Sequence, residues 1–355
     1  MKKILINITK YLVFLIIGVL LFLSVYHDID FEKLKIELKN LNYFWIFLSL
    51  VISLIAQFIR AVRWNMLIES MNYKPKVFNT FLSVMVLYMV NLLIPRAGEI
   101  GRCTVLSKYE SIPFAKLVGT VFIERTADFV AMIILAIVIF TLQFKHVVAT
   151  FDKERISNVV NVFSSVNQVK QKSFIDFKDI LIYVGIFLLL VYLIIIIKNF
   201  FNKKQYQNTS LKNKILEIKY HLLEGIKSIV HLKKRGLFVV YTFLIFLMWL
   251  LMLYVVFLAY SPTKHMTIIM GATAFMMGGV SMLLPVQGGI GPWHLMVILT
   301  LNTYGLNIEK GAVFALIAHT TTILVYFIFG IIALILFALI NKKNKYDYKD
   351  KKINT

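Results

Sequence analysis

Cysteine is nearly absent. Cys103 is the one thiol in 355 residues, which excludes an internal disulfide and any thiolate metal cluster. Charge is scarce as well: 16% of residues are Asp, Glu, Lys or Arg, where a soluble chain uses roughly a quarter. Acids are the scarcer sign, 18 against 39 basic residues, for a formal charge of +21. The H-E-x-x-H, P-loop and G-x-S-x-G patterns do not occur, so the corresponding hydrolases have no anchor, and any active transport has to draw on a gradient or a partner. What fills the chain is apolar: 59% hydrophobic residues, 14% aromatic, and a mean hydropathy of +0.78. The reading is an all-α, polytopic integral membrane protein. In such a chain a basic excess reports orientation and contact with anionic inner-leaflet lipid rather than nucleic acid.

Stretches free of Asp, Glu, Lys and Arg cover residues 11–26, 43–59, 77–95, 129–144, 180–197, 236–263, 265–308 and 311–341. About 20 apolar residues cross a bilayer. The first stretch follows three lysines but lacks a small-residue cleavage pattern, so it reads as an uncleaved anchor. The segment 198–235 holds ten basic residues against two acids and is assigned to the cytoplasm, with both termini. Segments 27–42 and 145–179 are more balanced and are assigned outside. Because each crossing changes sides, 77–116 must return to its own face from inside, and 267–310 from outside. This topology puts 28 basic residues inside and 11 outside.

The two returning regions share a pattern. Pro95-Arg96-Ala97-Gly98-Glu99-Ile100-Gly101 and Pro285-Val286-Gln287-Gly288-Gly289-Ile290-Gly291 both read P-x-x-G-x-I-G, 190 residues apart. Proline and glycine interrupt a helix, and freed backbone groups at membrane depth need protein or a water-filled cavity around them. The expected architecture is a helical bundle with two broken or re-entrant hairpins in an inverted repeat. Pro95, Gly98, Gly101, Pro285, Gly288, Gly289 and Gly291 are its hinges. Ordinary helix–loop–helix hairpins are the alternative. The expected organisation is one transmembrane domain over 1–341, with repeat-like halves at 43–144 and 236–341. A cytoplasmic linker over 198–235, amphipathic over 211–229, joins them, and a basic tail covers 342–355.

Charges cluster around the first break. Arg96, Glu99 and Arg102 surround it, Glu124, Arg125 and Asp128 share one face of the next helix, and Arg60, Arg63 and Trp64 close the preceding span. Charges at membrane depth pair, snorkel or line a cavity. Five arginines against three acids leave a surplus of two positive charges, which suits phosphate. Interfacial anchoring by Arg60, Arg63 and Trp64, and a structural network among Glu124, Arg125 and Asp128, stay open as alternatives. The second break offers only Gln287, His294 and His319, as interhelical hydrogen bonds or a proton relay.

In order, Arg60-x-x-Arg63-Trp64, Asn91-x-x-x-Pro95-Arg96-x-Gly98-Glu99-x-x-Arg102, Glu124-Arg125-x-x-Asp128 and Pro285-x-x-Gly288-Gly289-Ile290-Gly291 resemble the lysylphosphatidylglycerol synthase transmembrane, or flippase-like, family. The family's larger synthases add a cytosolic aminoacyl-transferase domain, whereas 14 residues follow Asn341 here. The resemblance therefore implies the lipid-translocating half alone. His294 departs from the pattern, since the family tends to carry Glu there.

The expected function is a lipid translocase, not an enzyme, moving an anionic or aminoacylated lipid between leaflets of the cell membrane. Its binding set is Arg60, Arg63, Asn91, Arg96, Glu99, Arg102, Glu124, Arg125, Asp128, Gln287 and His294. No cofactor or metal is expected. Its partners are a membrane phospholipid or lipid-linked substrate and anionic inner-leaflet lipids, with a second copy of the chain or a separate lipid-modifying enzyme left open. Two competing functions remain: a lipid-linked transferase using the D-x-D of Asp28 and Asp30, and a small-solute transporter, for which acids at both breaks would be expected.

Overall fold

Among the described residues, Pro75 and Pro113 stand between helices, Pro262 lies in the 3-10 turn Ser261–Thr263 and Pro292 is the first residue of a helix. Between them the chain is free to be helical, and apolar composition makes helix the form that satisfies its backbone in lipid. The computed structural model describes residues 31–94, 96–152, 154–157, 220, 228–229, 232–282 and 286–340. These are helical, with no strand among the described residues. The chain divides into two units, Met1–Ser164 with Leu222–Thr355, and Ser165–His221; apart from Tyr220, every described residue belongs to the first.

The helices are α1 (Phe31–Lys39), α2 (Tyr43–Glu69), α3 (Val77–Leu93), α4 (Gly98–Glu110), α5 (Phe114–Thr150), α6 (Arg235–Ala259), α7 (Ile268–Ser281), α8 (Pro292–Thr303) and α9 (Ile308–Ile340). Four are long and apolar enough to cross a membrane: α2, α5, α6 and α9, of 27, 37, 25 and 33 residues. At 1.5 Å per residue they run from about 37 to about 55 Å, beyond the roughly 30 Å hydrocarbon core. By contrast α3, α4, α7 and α8 have 17, 13, 14 and 12 residues. They reach only about 18 to 25 Å, less than the hydrocarbon core is thick. The protein is an all-α, multi-pass membrane protein.

Two of the charge-free stretches are not single helices in themselves. The charge-free stretch 129–144 is the middle of α5, which starts at Phe114 and continues past an interruption at Gln143. Helix tolerates Glu124, Arg125 and Asp128 because they have partners. The stretch 265–308 is α7 and α8, separated by positive-φ glycines. The anchor at 11–26, the span at 180–197, Asp28, Asp30, Pro95, Pro285 and the tail lie outside the described residues. So does most of the 198–235 linker.

Both short-helix pairs fold back. The Lys76 backbone N–H and Asn79 Nδ2, at the start of α3, donate to Glu110 Oε1 at the end of α4, at 3.1 and 2.6 Å. Tyr304, just past α8, donates its hydroxyl to Gln143 Oε1 at 2.9 Å and lies 3.0 Å from Thr273 Oγ1 in α7. At the other contacts, Asn42 N–H donates to Ala259 O, joining the start of α2 to the end of α6, and Ser70 Oγ donates to Ser228 O.

Four apolar clusters result among the described residues, two of them large. One gathers buried residues of α2 to α5, including Trp64, Met85 and Leu117; the other gathers α6, α7, α8 and the first half of α9, including Phe257, Val297 and Phe314. Helix α9 serves both, because Ala333 and Phe337 in its second half complete the first core. The pairing of α2 with α6 joins the sets further.

Candidate functional site

Arg60 and Arg63 lie one turn apart on α2, Glu99 and Arg102 one turn apart on α4, and Glu124, Arg125 and Asp128 within two turns of α5. Packing of the three helices brings all seven together. Glu124 is the hub. Its carboxylate is fully buried and meets four guanidinium groups: Arg60 Nε at 2.9 Å, Arg63 Nη2 at 3.3 Å, Arg102 Nη1 at 3.0 Å and Arg125 Nη2 at 3.0 Å. Glu99 holds Arg102 Nη2 at 2.7 Å and Arg125 Nε at 3.1 Å, with Arg60 Nη2 at 3.7 Å. Asp128 holds Arg63 Nη1 at 2.6 Å and Arg125 Nη2 at 3.2 Å.

Four guanidinium groups against three carboxylates leave one net positive charge. Burial at membrane depth is costly for each ion, and mutual pairing is what makes it tolerable. The Arg102 guanidinium also lies over the Trp64 ring at 4.2 Å, and the Trp64 indole N–H donates to Thr120 Oγ1 at 2.9 Å. Arg63 donates to Thr242 Oγ1 of α6 at 3.0 Å, and Arg60 to the Tyr88 hydroxyl of α3. Trp64 is therefore a buried platform. Arg63 Nε and Arg102 Nε are buried donors with no hydrogen-bond acceptor among the described residues. Arg60, Arg63 and Arg102 are sealed in, while the side chains of Glu99 and Arg125 remain 26% and 40% exposed. The network has one accessible edge.

The remaining first-break residues have backbone roles. Asn91 Oδ1 accepts the Gly98 N–H at 2.8 Å, tying the end of α3 to the start of α4. A Cβ on Gly98 would lie 2.1 Å from Leu87 O, so only glycine permits this approach. Gly101 packs on Val90. Arg96 sits in the turn with a left-handed backbone, φ 62°, and an exposed side chain. The ion pairs above join four of the five expected arginines.

The second break is built differently. Gly288, Gly289 and Gly291 all have positive φ, at 59°, 73° and 91°, a conformation that favours glycine. His319 Nε2 on α9 lies 2.9 Å from Gly288 O and donates to it. The buried His294 accepts the Gly291 N–H on Nδ1 at 3.3 Å. Trp293 stacks on His319 with ring centroids 4.9 Å apart, and the His294 and His319 rings meet edge-on at 4.5 Å. Gln287 opens the turn Gln287–Gly289. The two breaks touch, since the Cβ position of Gly288 is 3.3 Å from Leu92 Cδ2.

One turn before Arg60, Gln57 Nε2 donates to the Tyr326 hydroxyl at 3.4 Å, and three of these participants carry little sequence signal: Tyr88, Thr242 and Tyr326 lie in apolar stretches. A fourth, Gln57, is different. Ser49, Ser53, Gln57 and Arg60 are all buried on α2 at spacings of four, four and three residues, a polar stripe visible in the sequence.

Comparison with known proteins points one way. A curated relative, the UPF0104 membrane protein MJ1595 of Methanocaldococcus jannaschii, is 32% identical over 126 residues, covering 35% of this chain and 38% of that protein. The match thus spans well under half the length of this relative. No solved structure matches significantly. The model of the lysylphosphatidylglycerol synthase TM region matches residues 8–330, nearly the whole chain, and the protein belongs to that family.

Proposed function

We propose that the protein moves a lipid with an anionic, phosphate-bearing headgroup, bare or aminoacylated, between leaflets without changing it chemically. The observation that carries this reading is the arginine-rich network at the first break. It has a net positive charge, two buried guanidinium donors without acceptors, and one accessible edge at Arg125 and Glu99. Arginine forks match phosphate oxygens geometrically, and a partly dehydrated site strengthens each contact.

Four short helices, each shorter than the four long spans, favour two re-entrant hairpins with inverted entry, meeting where Leu92 adjoins Gly288. On α9, His319, Thr322 and Tyr326 are spaced along one face from the second break toward the network. The headgroup would follow this polar side while its acyl chains stay in lipid. In this reading the basic bias of 198–235 and of both terminal segments favours the cytoplasmic side of the cell membrane for them. Anionic inner-leaflet lipids are the expected surroundings, and a lipid-modifying enzyme the expected supplier of an aminoacylated substrate.

The test is leaflet exchange of labelled anionic, aminoacylated and polyprenyl-linked lipids in liposomes reconstituted with the full chain. Exchange should fall at least about tenfold in Arg125→Ala, the loss expected for a charge-assisted contact. Arg125 is the most exposed arginine of the network, and size-exclusion chromatography checks that the variant folds. Absence of exchange across the panel would overturn the reading. A transferred sugar or aminoacyl product would replace it with an enzyme, and solute flux with a solute transporter.

A further inference from the structure

The polar stripe of α2 does not end at Arg60. One turn before it stands Gln57, near the middle of a 27-residue span and fully buried. Its Nε2 donates to the Tyr326 hydroxyl of α9 at 3.4 Å, and its Oε1 has no hydrogen-bond partner among the described residues. An unsatisfied buried acceptor is unfavourable, more so at membrane depth, and calls for a donor from outside the chain. Beside it the Tyr88 and Tyr326 rings stack with centroids 4.1 Å apart. The Tyr88 hydroxyl accepts from Arg60, so its own hydrogen remains to donate. Ser53 neighbours the Tyr326 hydroxyl. Both tyrosines are half-buried, and Gln57 beside them is fully buried.

We infer that Gln57, Tyr88 and Tyr326 form an uncharged second station for the lipid headgroup, next to the arginine network and on the way to the second break. The inference rests on the lipid-moving reading. A phosphate oxygen would accept from the Tyr88 hydroxyl, and a donor elsewhere in the headgroup would reach Gln57 Oε1. The physical reason for such a station is release. A phosphate held only by guanidinium groups is bound too firmly to move on, whereas conduction needs successive sites weak enough to leave. Neutral hydroxyl and amide groups, adjoining Arg60, supply that intermediate hold.

The experiment uses the full chain with Gln57→Leu and Tyr326→Phe. Both are near in size to the originals, and leucine suits a membrane span. Leaflet exchange of labelled phosphatidylglycerol is measured in liposomes, and its affinity for the same variants by native mass spectrometry. Exchange should fall about fivefold in each, the effect of one hydrogen bond, while affinity, set by the arginines, stays within about twofold. Exchange unchanged in both variants would overturn the station alone, as would exchange and affinity falling together. The former outcome means that a bound water satisfies Gln57 Oε1, the latter that Gln57 and Tyr326 only support the arginine site. Absence of exchange in the wild type would overturn the lipid-moving reading, and the station with it.

Discussion

The two breaks carry the same P-x-x-G-x-I-G pattern and differ in nearly everything built around it. At the first, one glycine is required by close approach: Gly98 lets the start of α4 come against Leu87 O, with Asn91 tying the two helices. Around it stand four arginines and three acids. At the second, three glycines take positive φ, and the freed Gly288 carbonyl is satisfied by His319 rather than by a helix. Its surroundings are neutral and aromatic. A helix interruption is thus a shared backbone device, and the side chains beside it decide what it can hold. Charge on one side and neutral rings on the other is the asymmetry on which the lipid-moving proposal depends.

That contrast breaks most sharply at Glu124. Glu124→Gln removes the counter-charge shared by four arginines, and unpairing a buried ion costs about 3–5 kcal/mol. A large fall in thermal midpoint, or loss of the monodisperse peak in detergent, is expected. Adding Arg102→Met should recover part of the loss, because the two groups are directly paired. Strictly additive losses would show that the network is a set of separate anchors.

A smaller effect is expected from Gly98→Ala, about 1–3 kcal/mol, since its Cβ would strike the Leu87 carbonyl rather than a yielding side chain. Gly279→Ala in α7 is the matched control. Its Cβ meets nothing within 4 Å, so helix propensity makes the change neutral or slightly stabilising. Equal thermal midpoints for the two variants would remove close approach from the account of the first break.

The smallest effect belongs to the second break. His319→Phe keeps a ring against Trp293 but loses the hydrogen bond to Gly288 O, for a cost of about 1 kcal/mol. Hydrogen exchange at residues 286–291 should speed up while that of α4 and α5 is unchanged. Faster exchange in α4 and α5 as well would mean that the breaks act as one unit.

Much of this was legible from residues alone. Runs of apolar residues bounded by charge located the long helices, and the two regions that parity sets apart, 77–116 and 267–310, hold the short pairs α3 with α4 and α7 with α8, whose helices fold against each other. The charged residues of the network stood out because charge is rare in apolar helices. Arg96, expected at the same site, stands in the turn itself with a left-handed backbone, a placement the sequence did not give. Tyr88, Tyr326 and Thr242 gave no signal, because a lone hydroxyl in an apolar run reads as ordinary span composition. Gln57 gave one, through its spacing with Ser53 and Arg60, that became meaningful only beside Tyr326, 269 residues along the chain.

Composition by itself determined that the chain is a bundle of membrane helices, because in lipid the backbone must satisfy its own hydrogen bonds. It also determined where helices stop, since proline removes a donor and glycine admits left-handed turns. Which arginine meets which acid was decided only by the packing of α2, α4 and α5. Electrostatic coupling in a low-dielectric interior depends on separations of a few ångströms, and no spacing along the chain encodes the distance between residues 60 and 124.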